Sequence, residues 1–450
     1  MGISYIPHTD ADRRAMMAAI GISSIDELFA DIPEEVRLRR PLRLPPALSE
    51  PELVAHLEEL AAANPASGMV CFLGGGVYDH FIPSVVPYLA GRGEFATAYT
   101  PYQPEVSQGT LRAIFEFQTM IAELTGLDVA NASMYDGATA LTEAALMAVN
   151  VARRERVVVL GTVHPEYRQV LATYAEGQRL PVTTVAVDGR LGTTDMADLE
   201  RALEGEDVAC VLVQQPNFYG CLEPVHEIAA RVKARGALLV VSTDPISLGL
   251  LEAPGRYGAD IVVGDGQALG LPMAFGGPHF GFFACRAEHV RRMPGRIVGQ
   301  TVDREGRTGY VLTLQTREQH IRRDRATSNI CTNHSLMALA GTVYLAALGP
   351  RGLRRVAELC LQKAHYLAER IAGLPGFDLV FEAPFFKEFV IRCDRPGFDP
   401  AAVAREAGYL VGPDLGRWEA GRRGQLLVAV TEQRTRRELD GLVAAWGVAR

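Results

Sequence analysis

Between residues 66 and 325 the chain alternates two kinds of apolar spacing. RVVVLG (156–161), PVTTVAVD (181–188), VACVLVQQP (208–216), GALLVVSTD (236–244) and ADIVVGDG (259–266) are short, continuous, Val-rich runs. Between them lie PEYRQVLATYAEG, TDMADLERALEG and PVHEIAARVKARG, whose apolar residues recur three and four apart. Two further helices are predicted upstream, QGTLRAIFEFQTMIAELTG stopped by Gly126 and ATALTEAALMAVNVAR. Unbroken apolar strands spaced by helices predict an α/β fold with a mostly parallel sheet covered on both faces. Ligands on such sheets bind at the carboxyl ends of the strands.

The flanks read differently. Residues 1–65 predict a helical arm. Thr9 and Asp10 cap DADRRAMMAAIG, Ser24 opens SIDELFADIP, and Ser49 with Pro51 opens SEPELVAHLEELAAAN. The proline-broken RLRRPLRLPPAL between them is either a solvated connector or a strap across a partner subunit. Beyond residue 330 a long helical stretch, interrupted at Gly349-Pro350, leads into FDLVFEAPFFKEFVIRC, DPAAVAREAG and RGQLLVAVTE. That order predicts a small α+β domain over 330–450, which leaves 66–329 as the large domain.

Composition narrows the function classes. At 450 residues, 48% hydrophobic and 22% charged, the chain is an ordinary globular protein able to bury several cores. A net charge of −8 argues against a general nucleic-acid binder. Seven cysteines with no CxxC pair give neither a disulfide framework nor a zinc spacing, so no metal is expected. The N-terminus has acids and no apolar core, and no uncharged apolar run is read as reaching the ~18 residues of a membrane helix. A soluble cytoplasmic protein is expected. Only Lys233, Lys363 and Lys387 are lysine, so any lysine chemistry must use one of them.

Several segments carry candidate chemistry. In SMYDGATALTEAALM, Gly137, Ala138 and Thr139 stand where a loop becomes a helix, and small residues there let a phosphate approach free backbone N–H groups. An ordinary capped helix start reads the same way. His164 follows a strand and could stack on a planar cofactor, or simply be hydrogen-bonded in place. Asp244 ends the strand GALLVVSTD, either as a cap or as a partner for a ring nitrogen. YTPYQPEVSQG (99–109) packs two tyrosines and two prolines into an apparent loop. QTREQHIRRDRATSNICTN (315–333) is basic, then small and polar, and its arginines fit a solvated helix face equally well. A GGG at 74–76 is not a dinucleotide fingerprint, and there is no Gly-x-Ser-x-Gly elbow.

The order of these parts resembles that of the fold-type I pyridoxal-phosphate transferases: a GAT turn, a His after a strand, an Asp after a strand, then a strand ending in a polar turn. In that class a lysine just after the last strand forms the Schiff base. Here the place reads Gln267-Ala268. The longer runs GGGVYDHFIPSVVPYL, YTPYQPEVSQGTLRAIFEFQTMIAELTGLDVANASMYDGATALTEAA, MPGRIVGQTVDREGRTGYVLTLQTREQHIRRDRATSNICTN and GPRGL resemble the glycine decarboxylase family of the glycine cleavage system, over about 70–352. The chain is similar to that family's N-terminal, alpha-type half.

The resemblance implies a reaction in which glycine loses carbon dioxide and its aminomethyl group passes to the lipoyl arm of the H protein. It implies that pyridoxal 5′-phosphate is held covalently by a lysine-bearing beta-type partner in an α2β2 heterotetramer. Gly137, Ala138, Thr139, His164, Asp244, Gln267 and Ala268 would then form a decayed pocket, with no catalytic residue in this chain alone. Thr327 and Asn329 are expected to point toward the partner's cofactor phosphate. Tyr99, Tyr102 and Gln103 are expected to line the substrate channel. Arg317, Arg322 and Arg323 are expected to steer an acidic lipoyl carrier, and Arg325 stands where relatives often have lysine. Two other readings compete: a non-catalytic scaffold that kept the fold, and an independent enzyme with another cofactor in the old pocket.

Overall fold

The computed structural model describes residues 6–448. Its contacts divide the chain into two compact units, Met1–Ser67 and Gly68–Arg450.

In the first unit, Thr9 and Asp12 exchange capping-box bonds at the head of helix Asp10–Ile20, and Gly21 ends it in the left-handed region. Ser49 and Glu52 do the same for helix Glu50–Ala62. The full helix expected over SIDELFADIP is only a 3-10 turn, Ile25–Phe29. Nine residues before Pro33 are too few to repay helix nucleation without packing, and none of that turn is buried. Large apolar side chains stand exposed all along this unit, among them Phe29, Val36, Leu42, Leu44 and Leu57.

The second unit is built on a seven-stranded sheet. Across it run Val129–Ala130, Gly281–Cys285, Ile261–Asp265, Leu238–Thr243, Val208–Gln215, Arg156–Leu160 and Val182–Val185. The last five are mutually parallel, and Gly281–Cys285 pairs antiparallel to its neighbours on both sides. Nearly every residue of the central strands is buried, as the continuous apolar runs require of a sheet covered on both faces.

The helix ending at Gly126 starts earlier than expected, at Pro104, so half of the supposed loop 99–109 is its first turns, with a kink at Ser107. Pro104 at the first helical position fits that start. A hairpin, Ile297–Val302 with Thr308–Thr313, was not anticipated. Its strands lack a continuous apolar run because much of the hairpin is solvated.

Helix Ser335–Ala372 carries a break at Gly349, before Pro350. Its first half is in fact long and apolar enough, by composition, to cross a membrane. It is instead a core helix of this unit, burying Ala338, Ala340, Tyr344 and Leu353. A three-stranded antiparallel sheet (Phe377–Leu379, Glu388–Cys393, Gln425–Ala429) packs around Phe389, Val428 and Trp446. Val70–Leu73 pairs in parallel with Tyr409–Gly412, so chain just before the large sheet is tied to chain near the C-terminus.

Candidate functional site

At the carboxyl ends of the parallel strands, the fold brings His164, Asp244 and Ala268 around one cavity with Gly76, Tyr78, Tyr167, Gln214, Thr243 and Asp265. Thr327, Asn329, Tyr99, Tyr102 and Gln103 do not line it. The polar groups around this cavity are engaged by other groups of the same molecule.

Asp244 follows the strand Leu238–Thr243. Its Oδ2 lies 2.8 Å from Nζ of Lys387, the residue just before the strand Glu388–Cys393. The lysine side chain is 2% exposed. Its ammonium also sits 3.5 Å from the centroid of the Tyr78 ring and 3.0 Å from Nε2 of His80. An ammonium has only donors, so Nε2 must accept and Nδ1 must carry the proton. That proton is donated to Glu432 Oε2 at 2.6 Å. Burial first, and then the Lys387 charge, hold His80 below its ordinary pKa, in keeping with a neutral ring. Behind it, Glu388 accepts from the Tyr78 hydroxyl and from the Gly75 N–H, both at 2.8 Å. Burial pushes its carboxyl up to about 7.

His164 has lost its freedom to stack on a ligand. It lies against Tyr167, with ring centroids 4.8 Å apart and planes 24° from parallel. Its Nε2 donates to Gly75 O at 2.8 Å and its Nδ1 accepts from Glu166 N.

The helix start is closed as well. Gly137 N donates to Asp265 Oδ2 at 3.1 Å, and Thr139 N to Asp136 Oδ1 at 2.8 Å. Two carboxylates thus occupy the positive helix end that an anion would seek. A Cβ on Gly137 would lie 2.3 Å from the Tyr167 hydroxyl, which is how tightly that side chain covers the turn. Burial raises the Asp265 carboxyl to about 6, against the hydrogen bonds from Gln267 N and Gly137 N.

Gln267 is wholly structural. Its amide bonds the backbone of Tyr78 in both directions, and Leu271 O, all at 2.9 Å. Ala268 beside it is buried.

The cavity among these side chains is partly open and about 40 Å³. A single water needs roughly 10–15 Å³ by that measure, so a few waters fit and pyridoxal phosphate does not. The residues present do not suit the cofactor: no lysine follows the strand Ile261–Asp265, Asp244 is paired with Lys387, His164 stacks on Tyr167, and the N–H groups of Gly137 and Thr139 are bonded to carboxylates.

Sequence reasoning named Asp244, His164 and the helix turn but missed what fills them. Tyr167 and Asp265 lie within the quoted segments, three residues from His164 and three before Ala268, so their proximity was available. Lys387 was counted only as a lysine, and nothing local marks it.

The second group of expected residues lies elsewhere. Thr327 and Asn329 are exposed on an irregular segment followed at once by buried Ile330 and by Asn333, whose amide donates to Ala132 O at 2.7 Å. Beneath it, burial raises the Glu143 carboxyl to about 7, against a hydrogen bond with Ser328. Tyr99 is 84% exposed, and Gln103 stands just before the helix start at Pro104 without a side-chain capping bond. Arg322, Arg323 and Arg325 are exposed. Arg317 is a correction. Its guanidinium donates to the carbonyls of Leu314 and Gly295, each at 3.0 Å, and to that of Met293. It braces a loop and does not face a carrier.

The family model for the glycine cleavage system P-protein matches residues 3–446. The chain belongs to the glycine cleavage system P-protein family. Among curated members of this family, the probable glycine dehydrogenase (decarboxylating) subunit 1 of Desulforamulus reducens is 53% identical over 449 residues, covering 99% of each chain. That of Carboxydothermus hydrogenoformans is 55% identical over 446 residues, with the same coverage. A crystal structure of glycine decarboxylase (P-protein) in inhibitor-bound form is 48% identical, with a TM-score of 0.87 and 99% coverage of both chains. At 16% identity, a sphingosine-1-phosphate lyase from Burkholderia pseudomallei still matches with a TM-score of 0.66 over 92% of this chain and 94% of its own. That distant likeness speaks for the fold, the one expected of fold-type I pyridoxal-phosphate enzymes.

Proposed function

We propose that this chain is the subunit of a glycine decarboxylase that bears no Schiff-base lysine, and that it is inactive alone. The observation that carries the reading is the Asp244–Lys387 ion pair, which with Ala268 leaves the pocket without a place for pyridoxal phosphate. The cofactor belongs covalently to a beta-type second subunit, where it supplies the electron sink for loss of carbon dioxide from glycine. This chain contributes one wall of that partner's site. Thr327 and Asn329 reach toward the partner's cofactor phosphate, and Tyr99, Tyr102 and Gln103 line the way in for glycine and for the lipoyl arm of the H protein. Arg322 and Arg323, unlike Arg317, are free to steer that carrier.

An α2β2 assembly in the cytoplasm fits this reading. A scaffold with no part in the site is less well supported, because it would not need the exposed polar turn at 326–329.

The test is the visible absorption spectrum after adding pyridoxal phosphate, with this chain alone and with the second subunit. The expected result is a cofactor band, and glycine-dependent carbon dioxide exchange, only in the mixture. In that mixture Thr327→Ala should lose cofactor faster than wild type. A stable lysine-bound band on this chain alone would overturn the proposal.

A further inference from the structure

Among the described residues, one buried cation has only long contacts to its partners, and it belongs to neither the filled pocket nor the residues assigned above. Arg296 immediately precedes the hairpin strand Ile297–Val302 and is 5% exposed. Its backbone is fixed, because its carbonyl accepts from Ala132 N at 2.8 Å.

The guanidinium is held loosely. Nη1 lies 3.4 Å from both Thr332 Oγ1 and Asn333 Oδ1, and Nη2 lies 3.3 Å from the Tyr102 hydroxyl. Nε has no hydrogen-bond partner, and the nearest carboxylate, Glu318 Oε2, is 4.0 Å away. Charge-assisted bonds normally close to about 2.7–2.9 Å. Glu318 is itself buried, and its Oε1 is unpartnered. Burial holds its carboxyl above the ordinary range. Arg317, nearby in sequence to Glu318, shows the contrast, with every nitrogen on a carbonyl.

Above Arg296 lies the Tyr102 ring, 5.5 Å from the guanidinium carbon and half exposed, with His320 edge-on at 6.0 Å. Thr332 and Asn333 continue directly from the turn that presents Thr327 and Asn329. The unsatisfied fork therefore sits beneath the surface assigned to the partner's site.

We propose that Arg296 grips a planar or tetrahedral oxyanion, a carboxylate or phosphate presented at the subunit interface, with Tyr102 as the movable cover. The proposal rests on the subunit reading above. A guanidinium fork matches such an anion through two parallel N–H bonds, which a lysine ammonium cannot reproduce. Two sources share this chemistry: the carboxylate of glycine and the phosphate of the partner's cofactor.

The test uses the assembled complex with Arg296→Lys and, separately, Tyr102→Phe, which lies at a half-exposed position and keeps the fold. Affinity is read from the change in the cofactor's visible band on titration with glycine, and with methylamine, which lacks the carboxylate. Glycine binding weakened tenfold or more in Arg296→Lys, with methylamine unchanged, assigns the substrate carboxylate. Faster cofactor loss with both amines weakened alike assigns the phosphate. Tyr102→Phe should shift the same quantity in the same direction by a few fold, and carries the test if Arg296→Lys does not assemble. Unchanged affinities and cofactor retention in an assembled variant overturn the proposal. A wild-type complex that shows no glycine response at all sinks the subunit reading first, and this inference with it.

Discussion

Lys387→Met removes the ammonium while keeping most of the side-chain volume. It leaves the Asp244 carboxylate, 11% exposed, facing a thioether instead of a cation 2.8 Å away. Breaking a buried pair by deleting one partner costs about 3–5 kcal/mol, because the other charge stays behind without compensation. The cation–π contact with Tyr78 adds up to ~2 kcal/mol when desolvated, and His80 Nε2 loses its donor. A destabilisation of about 3–5 kcal/mol is therefore expected. Asp244→Asn alone should cost a comparable amount, since it strands the lysine. The double variant Lys387→Met/Asp244→Asn removes both charges and should be far less destabilised than the sum, with a coupling of about 2 kcal/mol or more. Urea unfolding of the full-length chain and its three variants, followed by circular dichroism, gives the cycle. Additive effects, or a single-variant loss below about 1 kcal/mol, would refute the claim that this pair locks the pocket.

Two further outcomes follow from the same packing. Glu143 has its carboxyl raised by burial from 4.5 to about 7, so the folded chain keeps a proton that the unfolded chain releases. That contribution is complete below about pH 4.5 and is lost as pH rises through 7. At ~1.4 kcal/mol per unit this amounts to roughly 3 kcal/mol, and Glu143→Gln should gain about that much relative to wild type between pH 5 and pH 8 in urea melts. Gly137→Ala should destabilise the chain by ~1–3 kcal/mol, because its Cβ would collide with Tyr167. An unchanged melting temperature would mean that the helix turn is open rather than covered.

Much of this architecture was legible in the chain because it rests on local physics. Five Val-rich runs between helical segments read as covered strands, and all five lie side by side in the parallel block, though Arg156–Leu160 sits between Val182–Val185 and Val208–Gln215 rather than at the edge. Gly126 stops its helix with a positive φ, as a residue without a Cβ does at little cost. Where local signals were weak the reading slipped. Helix Pro104–Thr125 begins inside what looked like a loop, and the solvated hairpin had no apolar run to announce it.

The sequence by itself determined that Gln267 and Ala268, not a lysine, follow the strand Ile261–Asp265, that only three lysines exist, and that the chain's long motifs are those of one family. Those are statements about which atoms are present, and they need no coordinates. Whether the pocket at the strand ends is open or filled was a question about distances between residues far apart in the chain. Lys387 lies 143 positions after Asp244, within a segment with no motif of its own. Only the packing of a C-terminal strand against the carboxyl ends of the main sheet carries its ammonium to that carboxylate. Burial then decides the rest. A buried charge is costly without a partner, and the packing that buries Asp244 is also what brings Lys387 to it.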